Sequence, residues 1–204
     1  MQNNLVFLCG PHGSGKTTLG DEIANQNSRI VIPELFSRNL KFHTTPIYRQ
    51  ALKTGTRASE NFEYLQLAKQ NPGRIILGNR CVYDVLAYNQ VYLKKKWISQ
   101  EEYQKLNSLI PFMFQEENQE PYAIVLNPGF DVCRTHLQKR WEKKAKKWNE
   151  EDEDYLRTAC SSYEQFQDNQ NILCINHEVN LDSQREIAEA EDWITSLSHE
   201  PVAV

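Results

Sequence analysis

Five short apolar runs punctuate the chain: Leu5–Cys9, Arg29–Ile32, Arg74–Leu77, Tyr122–Leu126 and Asn171–Ile175. Their apolar residues are consecutive rather than alternating, which is the pattern of strands buried on both faces. Between them the spacing changes to that of helices. Leu19, Ile23 and Ala24 follow Lys16 at helical intervals, and Phe62, Leu65 and Ala68 share a face within Ser59–Gln70. Helices are also predicted over Val82–Leu93 and Glu101–Phe114, where Pro111 is placed to kink or end the second. Asp131–Trp148 and Glu150–Asp168 read as two polar helices separated by a switch from basic to acidic residues, and Leu181–Leu197 as a closing helix. Pro33-Glu34, Pro72-Gly73 and Asn127-Pro128-Gly129 interrupt the pattern as turns do. Apolar strands alternating with helices predict an α/β layer fold with a mostly parallel sheet. Ligands of such sheets sit beyond the carboxyl ends of the strands. Gly10–Thr17, Glu34 and Asn79-Arg80 all fall there.

A chain of 204 residues without internal repeat or linker is expected to form a single domain, 1–204. Its net charge of −4 speaks against a general affinity for nucleic acid or anionic membranes. Cys9, Cys81, Cys133, Cys160 and Cys174 are odd in number and show no Cys-x-x-Cys spacing, so neither a disulfide framework nor a zinc site is indicated. Reduced thiols, the lack of a signal-peptide pattern and the lack of a membrane-length apolar run predict a cytoplasmic protein.

The segment Gly10-Pro11-His12-Gly13-Ser14-Gly15-Lys16-Thr17 carries the chemistry. Glycines let the backbone wrap closely and aim N–H groups at phosphate oxygens. The helix opening at Lys16 adds its positive end. Lys16 is expected to neutralise the β- and γ-phosphates of ATP, and the Thr17 hydroxyl to ligate Mg²⁺. Gly10, His12, Gly13, Ser14, Gly15, Lys16, Thr17 and Thr18 are thus candidate ATP-binding residues. The chain has no Asn-Lys-x-Asp guanine reader. Its candidate strand for an ATPase motor ends Leu77-Gly78-Asn79-Arg80 instead of in acids. A kinase of small molecules is the reading that remains.

Val31-Ile32-Pro33-Glu34, Phe62-Glu63-Tyr64-Leu65-Gln66, Asn79-Arg80-Cys81-Val82-Tyr83 and Arg134-x-x-Leu137-x-x-Arg140 together resemble, in order and spacing, the deoxynucleoside kinases of the thymidylate-kinase-like group. The resemblance runs from Leu5 to about Phe166. It implies a three-layer P-loop kinase fold, with a five-stranded parallel sheet flanked by helices and a helical lid over 129–150. It further implies Glu34 as general base on a nucleoside 5′-hydroxyl, Gln66 as reader of the base edge, and Arg80 beside the transferred phosphoryl group. Arg134 and Arg140 become the lid arginines that close over the phosphates. Asp84, one helical turn beyond Arg80, is placed to orient it. Family members are commonly dimeric, and the aromatic residues of Val82–Leu93 and Glu101–Phe114 offer a face for a homodimer.

The pattern also has departures. Asn79 replaces an acidic residue that helps hold Mg²⁺ in the family, which moves the carboxylate's work elsewhere or weakens activity. Cys81 replaces serine, and Gln138-Lys139 replaces Arg-Gly in the lid. The shortened stretch between Gln66 and Asn79 removes a substrate-binding arginine, for which Arg57 or Arg74 would substitute. The lysines around Arg140 are read as surface, paired with Glu150–Asp154, and Trp141 and Trp148 as packing anchors. Three other functions stay open at this level: a nucleoside monophosphate kinase, a nucleotide-binding regulatory module, and, least favoured, a polynucleotide 5′-kinase.

Overall fold

The computed structural model describes residues 4–34, 45–113, 120–143, 149–177 and 184–197. Five strands, β1 (Leu5–Cys9), β2 (Ile30–Val31), β3 (Ile75–Asn79), β4 (Tyr122–Leu126) and β5 (Ile172–Ile175), form one parallel sheet in the order β2-β3-β1-β4-β5. The helices are α1 (Lys16–Gln26), α2 (Pro46–Gln70), α3 (Val82–Lys94), α4 (Gln100–Asn107), α5 (Phe130–Trp141), α6 (Glu153–Tyr163) and α7 (Gln184–Leu197).

Side chains of a strand point alternately to its two faces, and β1 divides its apolar residues accordingly. Leu5, Phe7 and Cys9 pack with α2, α3 and α6, while Val6 and Leu8 pack with α1 and α7. Continuous apolar runs are therefore required, because both faces are covered. Leu19 and Ile23 of α1 are fully buried in the second layer, each burial contributing about 1.5–3 kcal/mol.

Register aligns the strand ends. Leu8 pairs with Asn79 and Cys9 with Val125, so Gly10, Arg80 and Leu126 emerge on one edge of the sheet. Val31 pairs with Ile76. β2 ends at Val31, and Glu34 follows it by three residues.

Several element boundaries differ from the sequence reading. Helix α2 begins at Pro46, not Ser59, and buries Gln50, Thr54, Asn61, Tyr64 and Ala68. Apolar periodicity could not show a buried face that is half polar. Phe62, expected inside, is 47% exposed. The helix predicted over 101–114 stops at Asn107 and is followed by a 3-10 turn, Ile110–Met113, at Pro111. Helix α5 ends at Trp141, which packs against Phe130, Cys133, Leu137, Leu156 and Cys160, whereas Trp148 lies outside the described residues. The aromatics of α3 offered for a dimer face belong to the chain's own core, since Tyr83, Tyr88 and Tyr92 are all buried. Among the described residues no helix is long and apolar enough to cross a membrane.

Candidate active site

At the end of β1 the chain turns through Gly10 (φ 143°), Gly13 (φ 79°) and Gly15 (φ 94°) before α1 starts. These angles are open to glycine and costly for other residues. Lys16 closes the loop on itself: its Nζ donates to the carbonyls of Gly10 (2.9 Å) and Pro11 (2.7 Å) and to Ser14 Oγ (3.0 Å). Burial, reinforced by the nearby Arg80 charge, lowers its pKa to about 7. Thr17 is exposed at the first turn of α1.

Arg80 follows β3 with a left-handed backbone (φ 68°). Its N–H donates to the Leu8 carbonyl (2.9 Å). The Asn61 side-chain amide, nitrogen turned inward, donates to the carbonyls of Arg80 (3.2 Å) and Arg57 (3.3 Å). Nη1 of Arg80 donates to Asp84 Oδ1 (2.5 Å) and to the Gly10 carbonyl (3.3 Å), and the guanidinium lies 5.6 Å from the centre of the Tyr88 ring. Asp84 is buried, and burial alone would raise its pKa. Arg80 and Lys16 outweigh that and hold the carboxyl below its ordinary value. Cys81 precedes α3, and its thiol is 3.4 Å from that of Cys9; all five cysteines are free.

A second cluster joins the loop to α5 and the start of α6. Nδ1 of His136 lies 2.8 Å from the Gly13 carbonyl. Nδ1 of His12 lies 3.3 Å from Glu150 Oε1, and Glu150 also bonds Arg140 and, at 3.4 Å, the Trp141 indole N–H. Glu150 is 1% exposed, so these contacts are made out of water. Burial lowers the His12 pKa to about 4. The ring is therefore neutral at physiological pH.

Of the two arginines that the sequence offered, Arg57 reaches the level of Asn79. Its Nη1 donates to the Asn79 carbonyl (2.6 Å) and pairs with Glu60 (2.6 Å). Arg74 does not, because it precedes β3 at the opposite end of the strand. Lys53 lies one turn before Arg57 on α2. Burial and the charges of Arg80, Arg49 and Arg57 lower its pKa to about 8.

Gln66 is not brought to the site. Arg57 and Asn61 hold the level of Asn79 and Arg80, whereas Ala68 lies by Asn4, at the foot of β1. At 1.5 Å per residue Gln66 is about 14 Å down the helix from Arg57. Asn61 is the amide that the fold sets beside Arg80. Arg134 pairs with Glu153 at the surface (2.9 Å). Among the described residues Glu150 meets His12 and Arg140, and Asp152 and Asp154 meet Lys95; Lys144, Lys146 and Lys147 lie outside the described residues. Glu34 is exposed at the end of the β2 segment.

The parallel sheet, the order 2-3-1-4-5 and the glycine loop between β1 and α1 define a P-loop kinase fold. The sequence model of the deoxynucleoside kinase family matches residues 7–200, and the chain belongs to that family. It is an ATP-dependent nucleoside kinase, a P-loop phosphotransferase. Among solved structures it is similar to deoxyadenosine kinase from M. mycoides with bound dATP, at a TM-score of 0.66 and 18% identity, over 92% of this chain and 97% of that one. The same enzyme with bound dCTP gives a TM-score of 0.59 at 17% identity, over 94% and 99% of the two chains. These likenesses concern the fold. A search of curated proteins gives no match.

Proposed function

We propose that the chain transfers the γ-phosphoryl group of ATP to the 5′-hydroxyl of a nucleoside, with Glu34 as general base. The observation that carries this reading is that the glycine loop, Arg80 and Glu34 follow the carboxyl ends of the neighbouring strands β1, β3 and β2. The loop N–H groups and Lys16 hold the triphosphate. Arg80 and Arg57 face the transferred group, and Arg140 and Arg134 on α5 supply further positive charge as it moves. Glu34 accepts the hydroxyl proton as the oxygen attacks phosphorus. An exposed hydroxyl at Thr17, completed by phosphate oxygens and water, suits Mg²⁺, which neutralises phosphate charge when bound. The region 129–150 acts as the lid within a single domain.

One observation favours a second acceptor class. Arg49, Lys53 and Arg57 stand at successive turns of α2, half-buried beside Arg80, and such a row suits a substrate that already carries phosphate. Measuring ADP release with a panel of nucleosides beside their 5′-monophosphates separates the two. Nucleosides are expected to turn over with the higher kcat/KM, and turnover confined to monophosphates would overturn the proposal.

The pKa of Lys16 makes a further prediction. Above pH 7 the free enzyme holds a growing fraction of neutral amine, yet the triphosphate requires the ammonium, so binding must take up a proton. Affinity for a non-hydrolysable ATP analogue should fall about five-fold between pH 7 and 8, with proton uptake visible by calorimetry in two buffers. Lys16→Arg should flatten this slope. Titration of the phosphate itself acts in the opposite direction, so a fall is diagnostic.

A further inference from the structure

We infer that Asp84 is a positioning residue for Arg80, supplying its counter-charge from the first turn of α3. The inference rests on the proposed role of Arg80 at the transferred group.

Asn79 is neutral and exposed, and its carbonyl is occupied by Arg57. The carboxylate nearest in sequence that meets the guanidinium is Asp84, 3% exposed and fully engaged. Oδ1 accepts from Arg80 Nη1, from the Tyr163 hydroxyl (2.6 Å) and, at 3.5 Å, from the Gly10 N–H. Oδ2 accepts from the Cys81 N–H at 3.3 Å. One carboxylate thus ties together the head of the phosphate loop, the start of α3, a tyrosine of α6 and the arginine. Helix capping alone does not account for this. A capping-box acid needs one oxygen on one N–H and is satisfied at the surface, as Glu102 shows at α4, where it accepts from the Ser99 N–H.

Arg80 needs such support. Its backbone occupies a region that a non-glycine residue keeps only where the surroundings over-determine it. The Leu8 carbonyl and Asn61 fix the main chain. Asp84, the Gly10 carbonyl and the Tyr88 ring fix the side chain. Both Nη1 hydrogens are committed, so phosphoryl oxygens would be met by the remaining donors of the guanidinium. Freed from Asp84, the guanidinium would keep its charge and lose its aim.

The test is a double-mutant cycle read in kcat, ATP affinity and Tm, with ATP and a mixture of deoxynucleosides. D84N should lower kcat about as far as R80Q, on the order of 10²-fold, with the ATP Kd within about three-fold of the parent. R80Q/D84N should lose no more than R80Q alone. Its neutral pair should also recover the Tm that D84N loses by leaving a buried guanidinium unmatched. Guanidinium ion should restore part of the activity of R80A but none to R80A/D84N, which holds even if D84N alone folds poorly. Multiplying losses, or equal rescue of both alanine variants, would overturn the inference while leaving the role of Arg80 standing. Wild-type kcat in R80Q would overturn that role and the inference with it.

Discussion

Glu34→Gln should abolish acceptor-dependent ADP release, by about 10²–10⁴-fold, while ATP binding is unchanged. The substitution keeps the shape of the side chain and removes its capacity to take a proton. Glu34 follows the edge strand β2, on the far side of β3 from the glycine loop, so ATP has no reason to sense the change. Its exposure at the end of the β2 segment also means that no packing is lost. Glu34→Asp should retain measurable turnover, since the base survives but is drawn back by one methylene. A monophosphate acceptor attacks through an oxygen that needs no base and would be almost indifferent to either change. Full nucleoside turnover in Glu34→Gln would therefore sink the assignment of the base, and the same assay with monophosphates shows whether the acceptor class was misread.

The sheet was legible because its signal is local. Each strand is sandwiched between helix layers, so each had to be a continuous apolar run, and all five strands lie within or beside the runs read from sequence. Helix α2 was legible only in part. Near the sheet's lower half it buries Tyr64 and Ala68, but towards the carboxyl edge its buried residues are Gln50, Thr54 and Asn61. A helix that lines a polar site presents no hydrophobic period there, so its first thirteen residues were missed.

The site divides in the same way. The glycine loop is a contiguous motif, and Arg80 and Asp84 stand only four residues apart across the start of α3, so both could be read along the chain. Contacts across layers could not. Gln66 was chosen by its place in a motif, and only the direction in which α2 crosses β3 shows that this end of the helix lies away from the loop. Glu150 sits in an acidic run that reads as solvated surface, yet it is buried between His12 and Arg140. No spacing rule connects positions 12, 140 and 150. They meet because α5 and α6 fold back over the phosphate loop.

Gly10→Ala should cost about 3 kcal/mol or more and remove ATP binding, whereas Gly55→Ala should stabilise the protein by about 0.5–1 kcal/mol. A Cβ on Gly10 would lie 2.2 Å from the Leu126 carbonyl oxygen and 2.8 Å from Ser14 Oγ, in a backbone with φ of 143°. The carbonyl belongs to β4 and has no freedom to retreat, because β4 is paired on both edges. Relief must come from the loop, which would swing away from the register that sets Lys16, Arg80 and Asp84 together. Gly55 lies inside α2 with nothing within 4 Å of a new Cβ, so alanine there only narrows the unfolded ensemble and favours the helix. In thermal unfolding the two should move Tm in opposite directions, Gly55→Ala upward by about 2–4 °C per kcal/mol. A Gly10→Ala protein with parental Tm and ATP affinity would mean that the loop does not hold its left-handed path in solution, and the shared edge on which the proposed site depends would be lost with it.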